Sequence, residues 1–279
     1  MLESGDPPGA APLDLPYLER GFQRQAFGGV QRRSLWPCLL LLAFSAAHAA
    51  TPTPTFTQGR AVLRPGVGTL DPRTPVDVAQ PPWRGVVRVQ TELGTRCTGF
   101  LIAPSSVVTA AHCLFSETSR HYVQPSSVHA LSGYTVGQYA GHSRVAAFHV
   151  TAGYDPLDET RTAGADWAVL TLATPLGTPD RLLRLAASPA VSGMDVTLGG
   201  FGQDLEERLQ ADLHCRILSL QTDGAGRALL RHSCSATHGT SGAPLLAQGT
   251  DGAWHVVGVN IAADQDGAGG VALPLTVAR

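Results

Sequence analysis

The hydrophobic positions of this chain fall into short runs rather than helical stripes. From about residue 82 onward, β-type segments bounded by Gly, Pro, Ser and Asp follow one another at residues 85–90, 97–103, 107–110, 144–150, 167–172, 195–198, 213–220, 228–231, 244–247, 255–261 and 270–275. Few windows place apolar residues three and four apart, so the pattern predicts an all-β domain built as a sandwich or a pair of barrels. The stretch 174–193, with Pro175, Pro179 and Pro189, predicts a connection between two halves, about 83–175 and 194–279. No sequence repeat relates the halves.

Upstream of this domain the pattern changes. Arg32-Arg33-Ser34 is followed by an apolar run at 35–47 and then by Ala47-His48-Ala49. A basic segment, a short apolar core and an A-x-A site are the parts of an export signal, and a run of about a dozen residues is too short to cross a bilayer. A membrane anchor or a buried helix is the competing reading of the same run. Residues 1–31 stand ahead of the signal, which fits a start codon placed too early, with Val30 as a candidate start. Residues 1–49 are thus read as an extension plus signal. Residues 50–82, rich in Thr and Pro, are read as a leader, propeptide or arm, and 83–279 as the globular domain.

Composition narrows the function classes. With 279 residues and 43% hydrophobic positions, the chain can bury a sizeable core. Its net charge of -2, with only 15% charged residues, offers no basic surface for nucleic acid. Of the five cysteines, Cys38 lies in the apolar run; Cys97, Cys113, Cys215 and Cys234 remain. In an exported protein these four predict two disulfides, with three possible connectivities. Their spacings match no CxxC metal motif, so zinc is not expected.

Three short blocks carry chemistry. Residues 107–113 form a β run that stops at a small-residue turn bearing His112, which would hold an imidazole rigidly enough to act as a general base. Asp166 stands directly before an apolar strand, either as a turn residue or as the acceptor that orients such a histidine. Ser241 lies in Gly239-Thr240-Ser241-Gly242, where small neighbours let the N–H groups of Gly239 and Ser241 converge on one point as an oxyanion hole. The Gly-x-Ser-x-Gly elbow of α/β-hydrolases is not met, which argues against an esterase on that fold.

Together, Thr109-Ala110-Ala111-His112-Cys113, Asp166-Trp167-Ala168-Val169-Leu170 and Gly239-Thr240-Ser241-Gly242-Ala243-Pro244 resemble the three signature blocks of chymotrypsin-like serine peptidases, in that family's order. The resemblance covers residues 82 to the end. It implies two antiparallel six-stranded β-barrels with the active site between them, a catalytic triad of His112, Asp166 and Ser241, and no cofactor. It also implies protein or peptide substrates, and a secreted or periplasmic monomer with no stable membrane association once the signal is cleaved. It suggests a Cys97–Cys113 disulfide and leaves the pairing of Cys215 and Cys234 open. Gly199-Gly200-Phe201-Gly202 resembles the segment that opens the second barrel.

Asp71-Pro72-Arg73, Pro81-Pro82-Trp83-Arg84, Cys97-Thr98-Gly99-Phe100-Leu101-Ile102 and Cys234 bring the chain closest to bacterial glutamyl-endopeptidase-like exported peptidases. Thr240 stands where the trypsin-like branch has the Asp that receives a new N-terminal ammonium, so activation by clipping would proceed without that ion pair. If spacing holds without gaps, Ser235 lies at the base of the primary pocket, with Ala236, His238 and Asn260 as further pocket residues. No carboxylate is then present to receive Arg or Lys, and Asn260 stands where the glutamyl branch has a His. The rival class is a non-catalytic serine-protease homologue acting as a binding protein, since fold does not guarantee activity.

Overall fold

The computed structural model describes residues 64–205 and 207–277. The proposed signal at 35–47 and Val30 lie outside the described residues. Among the described residues no helix is long and apolar enough to cross a membrane.

The first half is a closed barrel of β1 (Val86–Thr91), β2 (Arg96–Ala103), β3 (Ser106–Thr109), β4 (Val128–Ser132), β5 (Gly141–Val150) and β6 (Ala168–Leu172). The second is built from β7 (Asp195–Gly200), β8 (Gln210–Thr222), β9 (Ala228–His232), β10 (Pro244–Gln248), β11 (Trp254–Ala263) and β12 (Gly270–Pro274). Every neighbouring pair within each six is antiparallel. Around the first barrel the order is β1-β2-β3-β6-β5-β4, and around the second it is β7-β8-β9-β12-β11-β10, with β10 closing on β7. The halves therefore repeat one topology without a sequence repeat, because a barrel asks only for inward apolar positions and closed edges, not for particular residues.

The hydrophobic pattern passes over β4. Its five residues, Val-His-Ala-Leu-Ser, carry one polar residue in second place and one at the end, too short and mixed a run to register, yet four of the five are buried. Phe100, Leu101, Val107, Val108 and Leu170 are buried residues of the first barrel's strands, and Leu198, Ile217, Leu230, Leu245 and Ala272 of the second's. Each large apolar side chain so buried contributes about 2–3 kcal/mol.

Between the barrels, residues 173–194 include Arg184–Leu185, which runs parallel to His255 and Val256 of β11. The described part of the upstream segment, 64–82, lies along the second barrel. Thr74 and Pro75 pair with Ala211 and Gln210 of β8. Further upstream, Gly66 N–H donates to Asp264 O at 2.6 Å, while Gly66 O accepts from Ala236 N–H at 3.0 Å and Gly269 N–H at 3.2 Å.

Candidate active site

His112 follows β3 directly. After the fully buried Ala110 and Ala111 the chain turns through the short helix His112–Leu114, and a disulfide ties Cys113 to Cys97 of β2. The imidazole thus stands on a stapled corner rather than a free loop. The sulfurs of Cys97 and Cys113 lie close to the His112 ring, but the disulfide leaves them no thiolate with which to hold a metal. A second disulfide joins Cys215 of β8 to Cys234.

Asp166 emerges from the turn Ala163–Ala165 just before β6 and is 4% exposed. One carboxylate oxygen, Oδ1, accepts the backbone N–H of His112 at 2.9 Å; the other, Oδ2, lies 2.6 Å from His112 Nδ1. This two-point grip places the proton on Nδ1 and frees Nε2 toward the cleft. Burial disfavours a charged imidazolium, but the Asp166 charge and hydrogen bond outweigh it, with a smaller contribution from Glu159, and raise the His112 pKa above its ordinary value.

Ser241 comes from the second barrel, in the turn between β9 and β10. Gly239 and Gly242 have φ of 92° and 83°, values that L side chains rarely adopt. A Cβ on Gly242 would also collide with Thr98 O and Thr109 Oγ1. His112, Asp166, His238, Ser241 and Asn260 line one cleft of about 410 Å³, together with Glu117, Glu159, Thr237, Ile261, Ala262 and Ala263.

The turn that carries Ser241 is held from both barrels. Thr98 of β2 donates its N–H to Ser241 O at 2.9 Å and its hydroxyl to Gly239 O at 2.8 Å, while its Oγ1 accepts Phe201 N–H at 3.0 Å. Gly242 N–H donates to Asn260 O at 2.7 Å. His238 O accepts Gln203 N–H at 2.6 Å. A trans peptide points its C=O and N–H in opposite directions, so Gly239 N–H faces away from Gln203. Among the described residues, neither Gly239 N–H nor Ser241 N–H donates to a protein acceptor.

The residues suggested for the primary pocket part company. His238 and Asn260 line the cleft, whereas Ser235 lines a separate cavity with Leu70, Pro72, Asp212 and Ser233, its N–H bonded to Asp212 Oδ2 at 2.9 Å. Ala236 is covered by the upstream segment through Gly66. Asn260 is engaged on both sides: its Oδ1 accepts from buried His232 Nε2 at 3.0 Å and its Nδ2 donates to Thr240 O at 3.3 Å. Sequence reasoning did not single out Glu117, Glu159, His232 or Asp204, and saw Thr98 and Arg73 only inside longer strings. None of these stands in a motif that would have marked it.

The trypsin family model matches residues 73–279. The chain belongs to the trypsin family. Within that family it resembles chymotrypsin-like serine peptidases, glutamyl endopeptidase among them. It is 22% identical over 183 residues to glutamyl endopeptidase of Bacillus licheniformis, covering 65% of this chain and 54% of that protein, about half its length. It is 26% identical over 270 residues to phenoloxidase-activating enzyme 1 of Spodoptera litura, covering 76% of this chain and 69% of that protein. A solved Glu endopeptidase structure in complex with MPD superimposes with a TM-score of 0.63 at 22% identity, covering 76% of this chain and 94% of that one. That likeness carries the two-barrel fold of this trypsin-family member.

Proposed function

We propose that this trypsin-family protein is an exported serine endopeptidase with His112, Asp166 and Ser241 as its catalytic triad. The observation that carries the reading is the two-point contact of Asp166 with His112 in the cleft that also holds Ser241. Ser241 Oγ attacks a peptide carbonyl and passes its proton to His112 Nε2, while Asp166 stabilises the imidazolium. The N–H groups of Gly239 and Ser241 receive the oxyanion. His112 then protonates the leaving amine; water, deprotonated by the same imidazole, attacks the acyl-enzyme and releases Ser241.

The cleft supports a substrate class as well. With Ser235 outside it and Asn260 engaged on both sides, neither an Arg/Lys-directed nor a Glu-directed primary pocket is favoured. The small side chains of Ala262 and Ala263 suit an uncharged P1 residue. Glu117 and Glu159 on the rim favour cationic residues flanking the scissile bond. The apolar run at 35–47 and the two disulfides support export to an oxidising compartment.

Labelling with a fluorophosphonate probe tests the reading: wild type reacts and Ser241→Ala does not. Equal labelling of the two defeats it. A peptide-library cleavage profile then reads the P1 and flanking preferences.

A further inference from the structure

We propose that Arg73, from the segment upstream of the barrels, is the positioning residue that orients the Gly239 oxyanion donor; this rests on the peptidase reading above. The direction of Gly239 N–H is set by whatever holds the carbonyl of the same peptide, His238 O. That partner is Gln203 N–H at 2.6 Å. Neither Gln203, in a single helical turn at Gln203–Leu205, nor His238 belongs to a strand, so their contact needs a restraint from outside.

Arg73 supplies it on both sides. Asp204 follows Gln203 and Thr237 precedes His238, and the two neighbours are cross-linked, Thr237 Oγ1 donating to Asp204 Oδ1 at 2.6 Å. Arg73 Nη1 donates to Asp204 Oδ1 at 3.2 Å and to Thr237 Oγ1 at 3.3 Å, and Nη2 donates to Asp204 Oδ2. The other edge of the guanidinium is held by Asp71, with Nε to Oδ1 at 2.9 Å and Nη2 to Oδ2 at 2.8 Å. Arg64 adds a weaker contact to each carboxylate at 3.3 Å.

The Arg73 side chain is 4% exposed, so its charge is withdrawn from water and balanced by two carboxylates. Only a planar fork can engage both at once; a lysine would act as a point charge. Gly202 keeps the space open, since a Cβ there would lie 2.5 Å from Thr237 Oγ1, 2.8 Å from Asp204 Oδ1 and 3.1 Å from Arg73 Nη1. Thr240 offers no carboxylate to an N-terminal ammonium, and in this chain the ordering cation comes from within the polypeptide. Without Arg73 the Gln203–His238 contact loses its flanking restraint, and the His238–Gly239 peptide can turn to present its carbonyl, rather than its N–H, to the developing oxyanion.

The test compares the exported protein, upstream segment intact, as wild type, Arg73→Gln and Arg73→Lys. The readouts are kcat, KM, affinity for a peptide aldehyde, the folded fraction and hydrogen exchange of the Gln203 amide. Arg73→Gln is expected to lower kcat by about 10- to 100-fold, part of the roughly 10²–10³ carried by one oxyanion donor. KM should stay within about threefold. Aldehyde affinity falls with kcat, the Gln203 amide exchanges faster, and Arg73→Lys recovers part of each. Wild-type kcat with unchanged Gln203 protection in Arg73→Gln overturns the proposal, as does a loss of kcat equal to the unfolded fraction. If wild type resists the fluorophosphonate while Gln203 protection still depends on Arg73, the positioning role stands and the peptidase reading falls.

Discussion

Thr98 of the first barrel and Ser241 of the second are joined through their backbones, Thr98 N–H donating to Ser241 O at 2.9 Å. The same residue's hydroxyl bridges Gly239 O and Phe201 N–H, so one side chain couples β2 to the start of the Ser241 turn and to the segment that leaves β7. Thr98→Val keeps the shape and leaves both buried groups unpaired, at about 2 kcal/mol. For a domain of this size that is roughly 4–8 °C in thermal midpoint. Thr98→Ser should stay close to wild type by differential scanning calorimetry, and an equally stable Thr98→Val would remove the hydroxyl's role.

The His112–Asp166 contact sets opposite pH trends for activity and stability. Because the folded pKa of His112 is raised, the charged pair adds stability that is fully present below the unfolded value of about 6.5 and is lost as pH rises through the folded value. A general base must be neutral, so kcat/KM climbs over that same upper window, above about pH 6.5. Asp166→Asn should reduce kcat by about 10⁴-fold and move the acid limb of the pH–rate profile to lower pH. A limb that does not move would show that Asp166 is not the perturbing charge.

His232 works in the other direction. Fully buried, it is pushed by desolvation down to about 4, its hydrogen bond to Asn260 opposing the shift only in part. Its contribution to stability is complete above the unfolded pKa of about 6.5 and is lost as pH falls toward 4, roughly 3 kcal/mol in all. His232→Gln keeps an N–H for Asn260 and does not titrate. Between pH 7.5 and pH 4.5 its thermal midpoint should fall less than that of wild type; equal falls would place the acid sensitivity elsewhere.

The Cys97–Cys113 disulfide closes a loop with a sequence separation of 16 and carries the corner on which His112 stands. Replacing both cysteines by Ala should cost about 3 kcal/mol. Denaturant unfolding should show a lower midpoint, and kcat should fall even under conditions where the variant is fully folded. A folded variant with wild-type kcat would make the bridge a staple only.

Flanking specificity provides a fifth check. Glu159→Gln should lower cleavage of peptides with Arg or Lys beside the scissile bond by about 3- to 10-fold at low salt, and by less at high salt, where the exposed charge is screened. A profile indifferent to both the substitution and the salt would detach Glu159 from substrate binding.

By itself, the sequence determined the all-β class, most of the strands, the turns bearing His112, Asp166 and Ser241, and the cysteines available for bridging. Each is local: alternating apolar positions choose a strand, small residues choose a turn, and a short string suffices to see them. The closure of both barrels in one shared order, the separation of Ser235 from the cleft and the contacts that Asn260 makes with His232 and Thr240 were decided only in three dimensions. So were the grips on the turn that carries Ser241. Thr98 meets Gly239 across 141 residues and Arg73 meets Asp204 across 131. Nothing periodic links such partners, and an arginine read along the chain could pair with any carboxylate. Which one it meets depends on how the strands close, because strand register brings the loops at their ends together.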